Sequence, residues 1–198
     1  MKLVLASTSP RRRELLEALG LSFDVVAPEV DELRLPEEEP YDYVERIARA
    51  KATVVARPET VVVGADTTVV IEGRVLGKPA HPEEARSMLR KLSGQTHDVL
   101  TGVAVALMDQ KLRMVSAVES TLVRFLDLTE DEISDYVATG EPMDKAGAYA
   151  LGGIGALFVE GVDGSPSSVR GLPLHTLARL FRALELDLLS FRELAPPW

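Results

Sequence analysis

The twelve residues from Thr60 to Ile71, Thr-Val-Val-Val-Gly-Ala-Asp-Thr-Thr-Val-Val-Ile, constrain this chain more than any other stretch. Two β-branched runs flank Gly64-Ala65-Asp66 and read as a buried strand. A glycine inside such a run predicts that the strand ends or bulges there. The same strand presents a carboxylate. A charge set between apolar runs must be paired, hydrogen-bonded or bound to metal, so Asp66 leads the candidates for chemistry.

The N-terminus carries a second constraint. Leu3 to Ala6 reads as a strand, Ser7-Thr8-Ser9 as a tight turn, and Pro10 onward as a helix with Ser9 at its N-cap. Leu15, Leu16 and Leu19 form its apolar stripe, and Gly20 ends it. Arg11, Arg12 and Arg13 crowd the first turn, where the helix dipole favours acids. Either this is a solvated basic helix end, or an anion such as phosphate sits there, held by backbone N–H groups, the Ser7 and Ser9 hydroxyls and guanidinium forks.

The rest of the chain alternates strands and helices. Residues 22–27 read as a strand. An acidic, proline-rich loop follows from Pro28 to Pro40. Within it Glu37 to Glu39 read as a solvated charge run, and Asp31-Glu32 as a metal-binding pair. Residues 41–56 read as a helix with Val44, Ile47, Ala48, Ala52 and Val55 on one face. Lys51 falls on that stripe, where a lysine either snorkels outward or points into a cleft toward phosphate. Glu72-Gly73 reads as a hairpin turn, Gly77-Lys78-Pro79 as a rigid loop carrying a lysine, and residues 82–93 as a helix. Thr96 to Leu107 alternates, and residues 112–126 return beside it as a long antiparallel hairpin. Thr129-x-x-Glu132 is a capping box for a helix over 130–139. A glycine-rich loop over 141–155, a strand over 156–162 and a helix after Pro173 complete the chain. The tail, residues 190–198, reads as loose.

Composition enters by exclusion. A net charge of −9 disfavours nucleic-acid binding. The absence of cysteine excludes disulfides, thiolate nucleophiles and Cys-based zinc sites. His81, His97 and His175 show no zinc-hydrolase spacing, and neither a P-loop nor a nucleophile elbow occurs. With no signal-peptide pattern and no apolar run of bilayer length, a cytoplasmic protein without a membrane partner is expected. The remaining cations (Arg11, Arg12, Lys51, Lys78) and hard acids (Glu32, Asp66) suit a polyphosphate held with Mg²⁺.

These pieces together resemble a family. Ser7-x-Ser9-Pro10-Arg11-Arg12-x-Glu14-Leu15-Leu16, Lys51 within Ala-Lys-Ala, Gly64-Ala65-Asp66-Thr67 and Gly77-Lys78-Pro79 are similar to the Maf nucleotide pyrophosphatases. So are Ser93-Gly94-x-x-His97-x-Val99-x-Thr101-Gly102, Glu141-Pro142-x-Asp144-Lys145-Ala146-Gly147-Ala148-Tyr149 and Gly171-Leu172-Pro173. The match runs in order from Leu3 to about Leu184. The resemblance implies an ITPase-like α/β fold, one domain over 1–198 with a mixed sheet and two lobes around a central cleft. It implies hydrolysis of nucleoside triphosphates to monophosphate and pyrophosphate with a divalent cation, Mg²⁺ or Mn²⁺, in a homodimer. Ala-Gly-Ala-Tyr resembles the subgroup acting on dTTP and UTP.

Carried over by position, Asp66 is the catalytic acid that activates water or holds metal, with Glu32 as its companion at the metal. Arg11, Arg12, Lys51 and Lys78 bind phosphates, Ser7 completes the site, and Thr67 lies near the base. Two positions depart from the family pattern. Gly152 stands where glutamine is usual, and Arg170 where an apolar residue precedes Gly-Leu-Pro. The alternative reading, motivated by the missing glutamine, is a non-catalytic nucleotide-binding regulator of cell division.

Overall fold

The computed structural model describes residues 1–192; residues 193–198 of the expected tail lie outside the described residues. The chain is mixed α/β. Seven strands among the described residues form one mixed sheet: β1 (Lys2–Ala6), β2 (Asp24–Val26), β3 (Thr60–Ile71), β4 (Arg74–Leu76), β5 (Thr96–Met108), β6 (Leu112–Phe125) and β7 (Val159–Asp163). The order is β2-β1-β3-β5-β6-β7, with β4 on β3. β1 pairs in parallel with β2 and β3, whereas β4 and β7 pair antiparallel with β3 and β6. The expected long hairpin is β5 and β6, joined by a short turn at residues 109–111.

The helices are α1 (Pro10–Glu17), α2 (Pro40–Val55), α3 (Pro82–Leu92), α4 (Glu130–Ala138), α5 (Pro166–Val169) and α6 (Leu174–Ala183). Contacts divide the chain into two compact units: Met1–Asp66 with Thr101–Glu119 and Gly171–Trp198, and Thr67–Leu100 with Ser120–Arg170.

In the first unit the strand period of two sends alternate residues to opposite faces. Leu3, Leu5, Val61, Val63, Val103 and Val105 pack with Leu15 and Leu16 of α1 and with Leu177 and Phe181 of α6. The intervening residues, Val4, Ala6, Val62, Ala104 and Ala106, pack with Ala48, Ala52 and Val55 of α2. That second layer is built from small residues, so α2 lies close to the strands. β5 is therefore buried on both faces, although its sequence alternates.

Gly64 does not end the strand. Its register with β1 holds through Ala6↔Gly64, and β3 continues to Ile71. The glycine serves the helix instead. A Cβ there would lie 2.3 Å from the Ala48 carbonyl oxygen and 2.7 Å from the Ala52 nitrogen. Gly102, on the neighbouring strand β5, repeats this: its Cβ would meet the Val44 carbonyl oxygen at 2.3 Å. Two bare Cα atoms thus form the seat on which α2 rests.

In the second unit α3 and α4 supply Ala85, Met88, Leu89, Leu92, Ile133, Tyr136 and Val137 to a core with Val69, Val99, Phe125, Tyr149 and Phe158. The capping box forms as expected: Thr129 Oγ1 accepts from Glu132 N, and the Glu132 carboxylate accepts from Thr129 N. The sequence reading missed α5 and the 3-10 turns at Glu141–Asp144, Ala146–Ala148 and Ile154–Phe158. These elements are shorter than the window in which helical periodicity can register.

Candidate active site

The seat of α2 on β3 sets the centre of the first unit. Tyr43, Ile47 and Lys51 follow one another at four-residue spacing on α2 and share a face. Lys51 is buried, and its Nζ donates to Asp66 Oδ1 at 2.8 Å. The same Nζ lies 3.0 Å from Glu32 Oε1. Of the two readings for Lys51, the structure selects the inward one. A buried lysine between two carboxylates balances charge that burial would otherwise make costly. Asp66 is buried with it, whereas the Glu32 side chain is half open to solvent.

Asp31, the other member of the expected acidic pair, turns away. It is exposed and accepts from Leu33 N at 2.9 Å. The loop bearing Glu32 is strapped to α2 by residues the sequence reading left out. Tyr43 Oη donates to the Glu32 carbonyl at 2.9 Å, and Arg46 forks onto Glu38 at 2.6 and 2.8 Å. Glu38 is therefore not part of a solvated run, and the Arg46 hydrogen bond holds its carboxyl down at about 2. Burial, with the charges of Asp66 and Glu32, pushes Tyr43 up to about 12. The signal available in the sequence was position: Tyr43 lies eight residues before Lys51, on its stripe.

The N-terminal turn is the second part of this centre. Of the three arginines only Arg12 is buried. Its Nε donates to the Gly171 carbonyl at 2.8 Å and its Nη1 to Ser7 Oγ at 3.1 Å. Ser7 Oγ also accepts from Ser9 N at 3.1 Å, while the Ser9 side chain makes no capping bond. Burial draws Arg12 below its ordinary value, and the negative charges of Asp66 and Glu32 oppose that shift. Arg12 thus belongs to the same electrostatic group as the lysine and its two acids. Arg11 is half-buried next to it, and Arg13 faces solvent in an i,i+4 pair with Glu17 at 2.6 Å.

Thr67, Lys78 and Gly152 belong to the second unit. Thr67 is half-buried on β3 and Lys78 is exposed. The loop of Lys78 is pinned where Gly147 N donates to the Gly77 carbonyl at 3.1 Å. Gly147 and Ala148 both take positive φ, +69° and +60°. The alanine is fully buried in that conformation, a strain that surrounding structure must hold.

His97 supports the loop from within. Its Nε2 lies 2.9 Å from Tyr149 Oη, and its ring meets Phe125 and Tyr149 edge-on at 5.1 and 5.4 Å. Among the described residues nothing pairs with its buried Nδ1. Burial pushes the imidazole from 6.5 down to about 4. Between those values the unfolded chain takes up a proton that the folded chain refuses. Stability from this group is fully present above pH 6.5, is lost as pH falls through the window, and levels off below about pH 4. Relative to pH 7.5, wild type should lose about 2 kcal/mol more than His97→Gln by pH 4.5. Urea unfolding at the two pH values reads this; equal losses would refute it.

The donor set limits the metals the centre could hold. Asp66 and Glu32 are two hard carboxylates meeting at one lysine. No group of three or more acid, histidine or cysteine ligands occurs among the described residues. That set fits Mg²⁺ or Mn²⁺, taken by one or two carboxylates and completed by phosphate oxygens and water, and does not fit an all-protein cage.

The chain is similar to known proteins over most of its length. A family profile described as Maf-like protein matches residues 2–184. A curated relative from Anaeromyxobacter dehalogenans, a dTTP/UTP pyrophosphatase, is 56% identical over 182 residues, covering 91% of this chain and 93% of that protein. One of the same description from Symbiobacterium thermophilum is 49% identical, covering 90% and 92%. One from Bacillus cereus is 45% identical, covering 94% and 97%.

Proposed function

We infer the function from one premise: the chain belongs to the Maf family. It is a nucleotide pyrophosphatase, a hydrolase of phosphoanhydride bonds. Its substrates, in our reading, are dTTP and UTP, cleaved to the monophosphate and pyrophosphate. The observation that carries the mechanism is Lys51 Nζ at 2.8 Å from Asp66, both buried.

In the first unit, Arg11, Arg12, Ser7 and the start of α1 take phosphate oxygens, and Lys51 extends the cationic surface beside the reacting group. Asp66 is the general base. A water oxygen bonds to the α-phosphorus, its proton passes to an Asp66 carboxylate oxygen, and the bond from that phosphorus to the bridging oxygen breaks. Pyrophosphate departs and nucleoside monophosphate remains. Phosphoryl transfer of this kind depends on positioning and charge neutralisation. Asp66 and Glu32 would hold the divalent cation, which neutralises phosphate charge and acidifies water when bound. In the second unit we assign Lys78 to phosphate, and Thr67 and the Gly152 loop to the base.

The homodimer is part of the same proposal, tested by light scattering on the eluting protein. A cytoplasmic location without a membrane partner belongs to the same proposal, and the charge of −9 disfavours nucleic acid as a partner. Among the described residues no helix is long and apolar enough to cross a membrane.

The test is pyrophosphate release with Mg²⁺ or Mn²⁺ across dTTP, UTP, CTP, GTP and ATP. The expected result is pyrophosphate and monophosphate in equal amounts, fastest with dTTP and UTP. Nucleotide bound without turnover would replace the enzyme with a regulator. A different preferred base would overturn the substrate assignment alone.

A further inference from the structure

Glu32 is brought to the centre of the first unit by a segment with no core of its own. Every residue from Asp31 to Glu37 is exposed, and this stretch contains no helix or strand. Burial therefore does not decide where the carboxylate stands; polar ties do.

Two residues of α2 supply those ties. Tyr43 Oη donates to the Glu32 carbonyl at 2.9 Å. Arg46 Nη2 donates to the next carbonyl, that of Leu33, at 3.0 Å and to Glu38 Oε2 at 2.8 Å, while its Nε donates to Glu38 Oε1 at 2.6 Å. One planar guanidinium thus joins the backbone just after Glu32 to the far end of the loop, in a fork that lysine cannot reproduce. The loop closes from its own side as well. Glu38 Oε2 accepts from Leu35 N at 3.0 Å, and Arg34 Nε donates to the Glu38 carbonyl at 2.7 Å. Tyr43 and Arg46 also brace each other, with the guanidinium carbon 5.7 Å from the centre of the ring.

Glu32 Oε1 reaches Lys51 Nζ at 3.0 Å although half of the glutamate side chain is open to solvent. An ion pair with one partner so exposed holds a loop weakly. The hydrogen bonds from Tyr43 and Arg46 are what keep the carboxylate there.

We propose that Arg46 is a positioning residue for the divalent cation, keeping the Glu32 carboxylate beside Asp66 through its grip on Leu33 and Glu38. This rests on the assignment of that cation to Asp66 and Glu32. Asp66 is buried on β3 and fixed by its strand, whereas Glu32 depends on the clamp. A cation taken by one or two carboxylates binds well only if both are in place at once. Residues behind metal-binding carboxylates carry roughly 10- to 100-fold in affinity or activity. No proton or phosphate passes through Arg46, so its loss acts on metal affinity and not on turnover once metal is saturating.

The experiment is a cycle of wild type, Arg46→Met, Glu32→Gln and the double variant. Binding of Mn²⁺ alone is followed by loss of the free-ion electron paramagnetic resonance signal. Mn²⁺ activation of pyrophosphate release from UTP and thermal melting are measured beside it. Arg46→Met keeps a long apolar stem and removes every donor. It should raise the Kd for Mn²⁺ and the activation constant about tenfold each, with kcat at saturating Mn²⁺ within about twofold of wild type. Glu32→Gln should raise the Kd at least as much. With no carboxylate left to place, adding Arg46→Met to Glu32→Gln should raise it less than about twofold further. A clamp that only stabilises the fold would lower the melting temperature and leave Mn²⁺ affinity alone. A Kd in Arg46→Met within about twofold of wild type would therefore overturn the proposal, as would full additivity in the double variant. If Arg46→Met does not fold, Glu38→Gln takes its place at the same readout, since its amide turns a donor toward the guanidinium. Mn²⁺ bound as tightly by Glu32→Gln as by wild type would instead overturn the metal assignment on which the proposal rests.

Discussion

Asp66→Asn is expected to lower kcat for pyrophosphate release from UTP by about 10³-fold, within the range that a positioned general base contributes. Asparagine matches aspartate in shape and keeps an oxygen for Lys51, so the 2.8 Å contact can persist as a hydrogen bond from the ammonium to an uncharged acceptor. What it lacks is a basic oxygen to receive the proton of the attacking water. The other carboxylate at the lysine, Glu32, remains as partial charge compensation at 3.0 Å. The fold should therefore survive, with a melting temperature lowered by a few degrees. UMP binding should weaken far less than turnover falls. Turnover within threefold of wild type would remove Asp66 from the role of base. A variant lacking the native circular dichroism spectrum would leave that role to be tested with Asp66→Ser at the same readout.

Gly64→Ala is expected to cost at least about 3 kcal/mol of stability, beyond the usual penalty for adding one methyl to a packed core. The added Cβ would stand 2.3 Å from the Ala48 carbonyl oxygen and 2.7 Å from the Ala52 nitrogen. Both are backbone atoms of α2, so no rotamer change relieves the overlap; the helix must lift. Gly77→Ala is the control, since nothing lies within 4 Å of a Cβ there. Urea unfolding should show Gly77→Ala close to wild type and Gly64→Ala with a much lower midpoint or no folded baseline. Any folded Gly64→Ala protein should also be slow, because lifting α2 carries Lys51 away from Asp66. A Gly64→Ala variant within 1 kcal/mol of wild type would refute the close seat.

The period-two and period-3.6 patterns carried β3, the β5–β6 hairpin, α2 and the capping box directly from sequence to structure. Asp66 was legible because a carboxylate inside a β-branched run is costly to bury unless a partner or a metal compensates its charge. Lys51 was half legible: periodicity placed it on the buried stripe, but its partner lay fifteen residues on, in another element. Gly64 was misread because local sequence reports what a glycine permits its own backbone. It does not report which helix crosses above it. Glu38 was misread for a related reason, since its partner Arg46 belongs to the following helix and ties down an otherwise solvated run. Gly152 and Arg170 were each visible as departures, yet only folding shows that a Cβ at position 152 would lie 3.4 Å from Arg170 Nε. In all four cases the missing information is a contact between elements.

The glycine seat beneath α2 also bears on how the centre responds to heat. Where the helix meets Gly64 and Gly102 the interface is main chain against main chain, with no side-chain torsions to populate as temperature rises. Interdigitated side chains soften gradually as rotamers multiply; this junction has none to multiply. The spacing from Lys51 to Asp66 should accordingly hold nearly constant until the first unit unfolds. The Arrhenius plot of turnover should then stay straight up to the melting transition and break only there.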